Sequence, residues 1–578
     1  MVKGLVKEDV NHMDKKIVII GGVAGGASAA ARLRRHSEAD EIIMFEKGLH
    51  VSFSNCALPY HLSGAVEPAN KLVLMSPEKF LKQYNIIARI NEEVVEIDRA
   101  NKKVKVYQHF TGETYEESYD QLILSPGAKP IVPALEGLET IPTFTVRNVA
   151  DIIKLKTHIE QKYVKKITVI GGGYIGIEVA ENLREAGYDI TLIEGEQQVL
   201  RPFDEEMVQI FHKVLMDHGI KLSLGSLVSS FEPGSVVLAS GERIETEMVV
   251  MAIGVKPESK LAKEAGLELG KTGAIAVDDN YQTSDESIYA IGDAIEVNHL
   301  LTGMKTRLTL AGPAQKAARA VADHINGMEV ATNAYMGSSA IKVFEYNGAS
   351  TGLNENSIKA QKLDLNYDSV HFILNDKVGI MPGSYPLHFK LLFEVPTGKI
   401  LGAQAIGKGS VDKRIDVIAT AMKFKATVHD LKDLELCYAP PFGTAKDIVN
   451  YAGFIASNLL AGDFKQITVD QVRPLLEQGQ TFIDVREVGE YERGHLENVK
   501  NIPLSELRQR VDEIPKDKPV YIHCRTGQRS YNAVLALQNL GYKNVVNVTG
   551  GFLGLSFYEY FKDQVEQRRP IMTDYNFN

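Results

Sequence analysis

Two segments of this chain repeat one design, and that repeat most constrains the fold. "KKIVIIGGVAGGASAAARLRR" (15–35) and "KKITVIGGGYIGIEVAENLREAG" (165–187) each read as an apolar strand, a glycine turn and a helix. Each is followed by a second strand that ends in an acid, "EIIMFEK" with Glu46 and "DITLIEG" with Glu194. Glycines let the backbone approach a pyrophosphate at a helix N-terminus, and the acid accepts ribose hydroxyls, so both units read as dinucleotide-binding. The second loop is a full fingerprint: Gly171, Gly173 and Gly176, with Tyr174 and Ile175 between the last two. In the first, Gly21-Gly22-Val23-Ala24-Gly25-Gly26, the middle position is Val23.

The remaining length demands further cores, because 578 residues exceed what one domain holds. A net charge of −10 argues against nucleic acid as a partner. No apolar run reaches the roughly 20 residues that span a bilayer, so no membrane association is expected. Residues 1–12 read as a leader or an expression-derived extension, without the apolar region of a secretory signal. Three scattered cysteines form no disulfide framework, which fits a reducing cytoplasm. No metal site is expected.

Further on come "LILSPGAKP" (122–130) and "SIYAIGDA" (287–294). With the two glycine units, these resemble the pyridine nucleotide–disulfide oxidoreductases, in which the first unit binds FAD and the second NADH or NADPH. The resemblance implies FAD contacts from the loop Gly21–Gly26, Glu46, Lys47, Ser125 and Gly127, with Gly292 and Asp293 holding the ribityl chain. It implies NADH contacts from Gly171, Gly173, Tyr174, Ile175, Gly176, Glu194 and Gly254. An FAD domain is expected over 13–150 and 256–335, an NADH domain over 151–255 and an α+β dimerisation domain over 336–460.

The pattern changes again after about residue 460. "TFIDVREVGEYERGHLENVKNIPL" (481–504) and "PVYIHCRTGQRSYNAVLALQNLGY" (519–542) resemble a rhodanese domain, expected over 465–565 with a tail at 566–578. A strand ends at Cys524, the loop Arg525-Thr526-Gly527-Gln528-Arg529 follows, and a helix begins near Ser530. Such a loop aims backbone N–H groups at the sulfur and stabilises thiolate or persulfide anions, with Arg525 or Arg529 assisting. The four residues between Cys524 and Arg529 make a smaller ring than the five of the similar phosphatase loop, which suits sulfur. The fold class is α/β: two Rossmann-like domains, an α+β dimerisation domain and a C-terminal α/β rhodanese domain.

Cys56, in "SFSNCALPY" (52–60), has no cysteine near it. A helix starting at "ALPY", with Pro59 in its first turn, would lower the thiol pKa. "SFxxC" before "ALPY" resembles the coenzyme A-disulfide reductase branch of the family, and the whole chain resembles its rhodanese-fused members. That branch implies a mixed disulfide between Cys56 and coenzyme A. Ser28, Arg32 and Arg35 fall at i, i+4 and i+7 on the first helix, a face that fits coenzyme A phosphates or is simply solvated. Ser52, Asn55 and Lys446 match family positions that contact the coenzyme, and Tyr438 matches a catalytic tyrosine that reaches the partner subunit's disulfide and assists sulfur protonation. Cys437 reads as a structural core cysteine. A second family tyrosine is expected in "VGIMPGSYPLH" (378–388), where this chain has Ile380 and Met381, with Tyr385 the nearest.

The reading is a homodimeric, FAD- and NADH-dependent reductase of coenzyme A disulfide, persulfides or polysulfide, with a sulfurtransferase domain. Two other readings stay open. One is an NADH oxidase or peroxidase cycling Cys56 through sulfenic acid, although Ala24 stands where peroxidase members carry histidine. The other is a flavin-regulated sulfur carrier or redox sensor.

Overall fold

The computed structural model describes residues 14–330 and 333–577; the expected leader at 1–12 lies outside them. The Ile/Val runs of the two glycine units form central strands of two parallel sheets, buried on both faces as helix-flanked parallel strands must be. In the first sheet Lys16–Ile20 lies between Glu41–Glu46 and Gln121–Leu124, with Ile288–Ala290 and Ile87–Ile90 at the edges. In the second, Lys166–Ile170 lies between Asp189–Ile193 and Met248–Met251, flanked by Lys221–Ser223 and by Thr143–Phe144. In each unit the loop's last glycine lets the helix sit against the strand turn. A Cβ on Gly26 would lie 1.8 Å from Gly21 O, and one on Gly176 1.8 Å from Gly171 O.

A five-stranded antiparallel sheet follows, built from Ser339–Val343, Tyr346–Gly352, Tyr367–Asn375, Pro386–Glu394 and Ile400–Gly407. Buried Lys390 clamps it to the second glycine-loop unit. Its Nζ lies 2.9 Å from Asp204, 2.5 Å from Glu206 and 2.7 Å from Glu355, and these carboxylates hold the ammonium charged despite its burial. The C-terminal domain has its own parallel sheet, with Val520–His523 between Val545–Val548 and Thr481–Asp484.

The C-terminal domain does not hang on a flexible linker. Its last helix, Gly551–Glu566, packs on the helix Glu205–Asp217 of the second glycine-loop unit, and Lys562 pairs with Glu205. Gln466 Nε2 donates to Ser369 O at 2.8 Å, and Phe577 packs against the core of the second glycine-loop unit. Three buried histidines line this seam. His212 packs on Phe561 and His388 on Phe557, at ring distances of 4.7 and 5.2 Å, and His371 lies against Gly550. Burial drives His212 and His388 down to about 3 and His371 well below its ordinary value.

The sign of the pH dependence follows from these directions. A histidine neutral in the fold and titrating near 6.5 when unfolded contributes stability above about pH 6.5 and loses it as pH falls towards 3. The expected slope is about 1.4 kcal/mol per pH unit per histidine. Chemical denaturation at pH 7 and pH 5 should therefore show marked acid weakening, with a smaller slope in His388→Phe. An unchanged slope would remove His388 from the account.

Candidate active site

The Cys56 segment is pinned from two sides. Ser52, at φ +47°, donates its N–H to Gly22 O at 2.8 Å, which ties the segment to the first glycine loop. Leu58 and Leu62 are buried in the nicotinamide-unit core, and Ser63 Oγ donates to Asn182 Oδ1 at 2.6 Å on the helix Tyr174–Glu185. Between these anchors Cys56 is exposed and free, as are Asn55 and Cys437; Cys524 is free and buried. The expected helix at "ALPY" does not form. Two single 3₁₀ turns, Asn55–Ala57 and Pro59–His61, take its place. Proline at 59 has no N–H to return to Asn55 O, so Leu58 N–H bonds it instead at 3.2 Å. The expected lowering of the thiol pKa is reversed as well. The surrounding protein pushes the Cys56 thiol up, as do the Glu178 and Asp293 carboxylates.

Both glycine loops fit a dinucleotide. Glu46 accepts the N–H groups of Gly22 and Gly48 at 2.9 and 2.7 Å, and Glu194 accepts those of Gly172 and Glu196 at 2.6 and 2.9 Å. Each carboxylate is thus fixed at its strand end with a lone pair left on each oxygen for a ribose hydroxyl. A Cβ on Gly173 would meet no protein atom within 4 Å, so the middle of the second loop faces open space where a pyrophosphate fits. Gly127 and Gly254 both turn at positive φ, +73° and +113°, and Ser125 Oγ lies against Gly25. Burial lifts the Asp293 carboxyl to about 6, with Arg147 opposing the shift. Lys47 is engaged with Glu258 at 2.9 Å.

The basic face of the first helix is narrower than its spacing suggests. Arg32 Nε is bound to Asp323 at 2.6 Å, an acid that also takes His36 and Arg319. Ser28 is half-buried, and Arg35 is exposed with no ion-pair partner among the described residues, so Arg35 is the cation left for a phosphate. Lys446 is also exposed. Tyr438 is 48% exposed, and Cys437 beside it is exposed rather than in a core, which corrects its structural reading. Val378 N–H donates to Gly443 O at 3.2 Å, so the turn bearing Ile380 lies beside the Tyr438 segment. Ile380 is 89% exposed there, and Tyr385 lies 5.7 Å from the Lys408 ammonium, measured to its ring centre.

In the C-terminal domain, the strand Val520–His523 delivers Cys524 to a turn that wraps its sulfur. Gly527 N–H donates to Sγ at 3.1 Å and Ser530 Oγ lies at 3.5 Å, with the helix Gln528–Asn539 starting inside the loop. Arg529 makes a bidentate pair with Glu490 at 2.6 and 2.7 Å, which occupies its guanidinium. Arg525 has no ion-pair partner among the described residues and is left as the loop's open cation, beside Thr526. Sequence reasoning missed Glu178, Asn182, Ser63 and Arg147, which carry no motif; their positions follow only from how the two units pack.

The family model of pyridine nucleotide-disulphide oxidoreductases matches residues 15–337, and its dimerisation domain matches 338–447. The chain belongs to that family. A rhodanese-like domain matches residues 468–556. Coenzyme A disulfide reductase of Staphylococcus epidermidis is 35% identical over 442 residues, 76% of this chain and 99% of that protein. The structure of reduced Bacillus anthracis CoADR-RHD superimposes with a TM-score of 0.91 at 46% identity, covering 95% of this chain and 98% of that one. A NAD-dependent persulfide reductase from A. fulgidus gives 0.87 at 34% identity, covering 93% and 99%. Within the family, then, the chain is of the rhodanese-fused coenzyme A-disulfide reductase type.

The fixed carboxylate of Glu194 bears on the choice of nicotinamide cofactor. A fixed carboxylate at the strand end accepts a 2′-hydroxyl and repels a 2′-phosphate, and residues 195–200 include no arginine. Steady-state assays should give a higher kcat/KM with NADH than with NADPH. An equal or higher value with NADPH would contradict this role for Glu194.

Proposed function

We propose that Cys56 is the redox centre of an FAD-dependent enzyme that uses NADH to reduce coenzyme A disulfide or coenzyme A persulfide and polysulfide. The observation that carries this reading is the geometry of Cys56: exposed, unpaired, and anchored to the flavin-side loop through Ser52 and to the nicotinamide-unit helix through Ser63. Cys56 is bonded to no protein sulfur, and the likeness to coenzyme A disulfide reductase supports a small thiol as its partner. NADH and FAD together supply the two electrons when bound. The chain's own residues do the rest. Cys56 thiolate attacks the substrate S–S bond, the second sulfur leaves as a thiolate, and the mixed disulfide left on Cys56 would take up the two electrons that the bound cofactors supply. Arg35, Asn55, Ser52 and Lys446 hold the coenzyme's polar groups.

The enzyme acts as a homodimer through residues 338–447, with Tyr438 presented towards the partner's site. Its exposed position and the adjacent Ile380 surface support this. Ile380 in place of a phenol loosens discrimination between disulfide and persulfide substrates. Cys524 carries a persulfide in its amide cradle and supplies sulfur from bulky donors, with coenzyme A as the carrier between the two sites. Free cysteines fit a reducing cytoplasm, and among the described residues no helix is long and apolar enough to cross a membrane.

Cys56→Ser should leave flavin bound and reducible by NADH while turnover with coenzyme A disulfide or persulfide falls by at least about 10³-fold. Cys524→Ser should keep turnover of a substrate supplied directly to Cys56 and lose sulfide release from a donor that must first load the rhodanese loop. Reductase activity surviving in Cys56→Ser would disprove the assignment.

A further inference from the structure

The segment that carries both Tyr438 and Lys446 forms neither helix nor strand from residue 434 to 446, so its shape is set by what holds it. Asn450 fixes its start, donating Nδ2 to Leu431 O and Leu434 O at 3.0 Å each. Its end is held by Arg414, a residue of the helix Asp412–Lys423 that is only 1% exposed. The guanidinium Nη2 lies 3.5 Å from the carboxylate of Asp447, next in sequence to Lys446, and a Cβ on Gly443 would lie 3.6 Å from that nitrogen. Nη2 also donates to Asp376 O at 2.7 Å, and Nη1 to Ser410 O at 2.7 Å. Asp376 closes the neighbouring turn that bears Ile380. Its carboxylate accepts Tyr385 N–H and its own N–H donates to Tyr385 O, both at 2.9 Å.

We propose that Arg414 is a positioning residue of the reductive site: it locks the 438–446 segment to the Ile380 turn, so that the two meet the substrate as one rigid edge. This rests on the reading of Tyr438 and Lys446 given above and deepens it. The two elements already touch through their backbones, since Val378 N–H donates to Gly443 O at 3.2 Å. Phe442 N–H donates to Ala439 O at 2.9 Å, which tightens the chain directly after Tyr438. Arg414 stands behind that junction and, being buried, touches no substrate itself.

The chemistry of the side chain fits this task better than a task in stability. A planar guanidinium offers its donors in a fixed fork, so one group binds a carbonyl of one turn and faces a carboxylate of the other at a set separation. A buried charge is costly, and here one donor, Nε, has no partner among the described residues. An apolar residue would hold this helix against the antiparallel sheet at lower cost, yet it would not fix two irregular segments relative to each other. Lysine keeps the charge beside Asp447, but its compact ammonium on a flexible stem does not reproduce the fork.

The test compares Arg414→Lys, Tyr438→Phe and the double variant in the FAD-loaded protein, with NADH and coenzyme A disulfide as substrates. Arg414→Lys should keep the rate at which NADH reduces the flavin, followed by stopped flow, because that half-reaction does not use the 438–446 segment. Its kcat should fall about tenfold through a misplaced Tyr438, and its KM should rise about threefold through a misplaced Lys446. In the Tyr438→Phe background the same change should raise KM and leave kcat where Tyr438→Phe alone puts it, because Arg414 acts through Tyr438. A merely structural residue would lower kcat again in the double variant and slow flavin reduction as well; either result overturns the proposal. Asp447→Asn keeps the oxygen that caps the helix Ile448–Leu460 and drops the ion pair, so it should lower kcat in the same direction and serves if Arg414→Lys does not fold. An unchanged kcat in either folded variant, beside a slow Tyr438→Phe, overturns the positioning role alone. If the native protein does not turn over this substrate, or Tyr438→Phe matches it, the functional reading fails and the positioning role falls with it.

Discussion

The chemistry proposed for this chain depends on one exposed sulfur held between two glycine-loop units and bonded to no other protein sulfur. Everything around Cys56 serves that constraint. Ser52 accepts an unusual positive φ to bond Gly22 O, Pro59 prevents an α-helix from carrying the thiol away, and Ser63 ties the far end to Asn182. The price of this placement is a thiol that ionises less readily, since nearby protein and two carboxylates all oppose the anion. In the proposed reading, a small thiol completes the disulfide at this site.

The second sulfur is handled in the opposite way. Cys524 is buried in a turn whose Gly527 amide points at it, and the domain that carries it is fixed to the rest of the chain. Neutral histidines, the Lys562–Glu205 pair and the returning Phe577 close that seam. Lys390 does similar work between the nicotinamide unit and the antiparallel sheet, gathering three carboxylates around one ammonium. Removing one partner from such a buried cluster costs far more than the cluster adds over an apolar core, so its role is register between domains. Fixed domains favour a carrier that moves between sites over sites that move to meet each other.

Much of this was legible in the sequence where the determinant is local. Both glycine loops, the acids that end their second strands and the Cys524 turn are short segments whose geometry is set by the residues within them. What escaped was set by contacts across the chain. Arg32 and Arg35 sit on one helical face, yet only the fold brings Asp323 to Arg32, 291 positions away. Arg529 looked like an anion ligand until Glu490 reached it from a separate helix. Thr143–Phe144 is too short to announce itself as the edge of the nicotinamide sheet. Asn182 lies beyond the last loop glycine, so its bond to Ser63 follows from how the helix packs on the Cys56 segment.

The central claim is that Cys56 closes its disulfide with coenzyme A. Intact mass of the oxidised native protein, measured before and after treatment with a thiol reductant, tests it most directly. The account predicts a reductant-labile adduct of coenzyme A size that maps to the Cys56 peptide. An adduct of one or more oxygen atoms at Cys56, with no coenzyme A, would contradict it and favour a sulfenic acid oxidase.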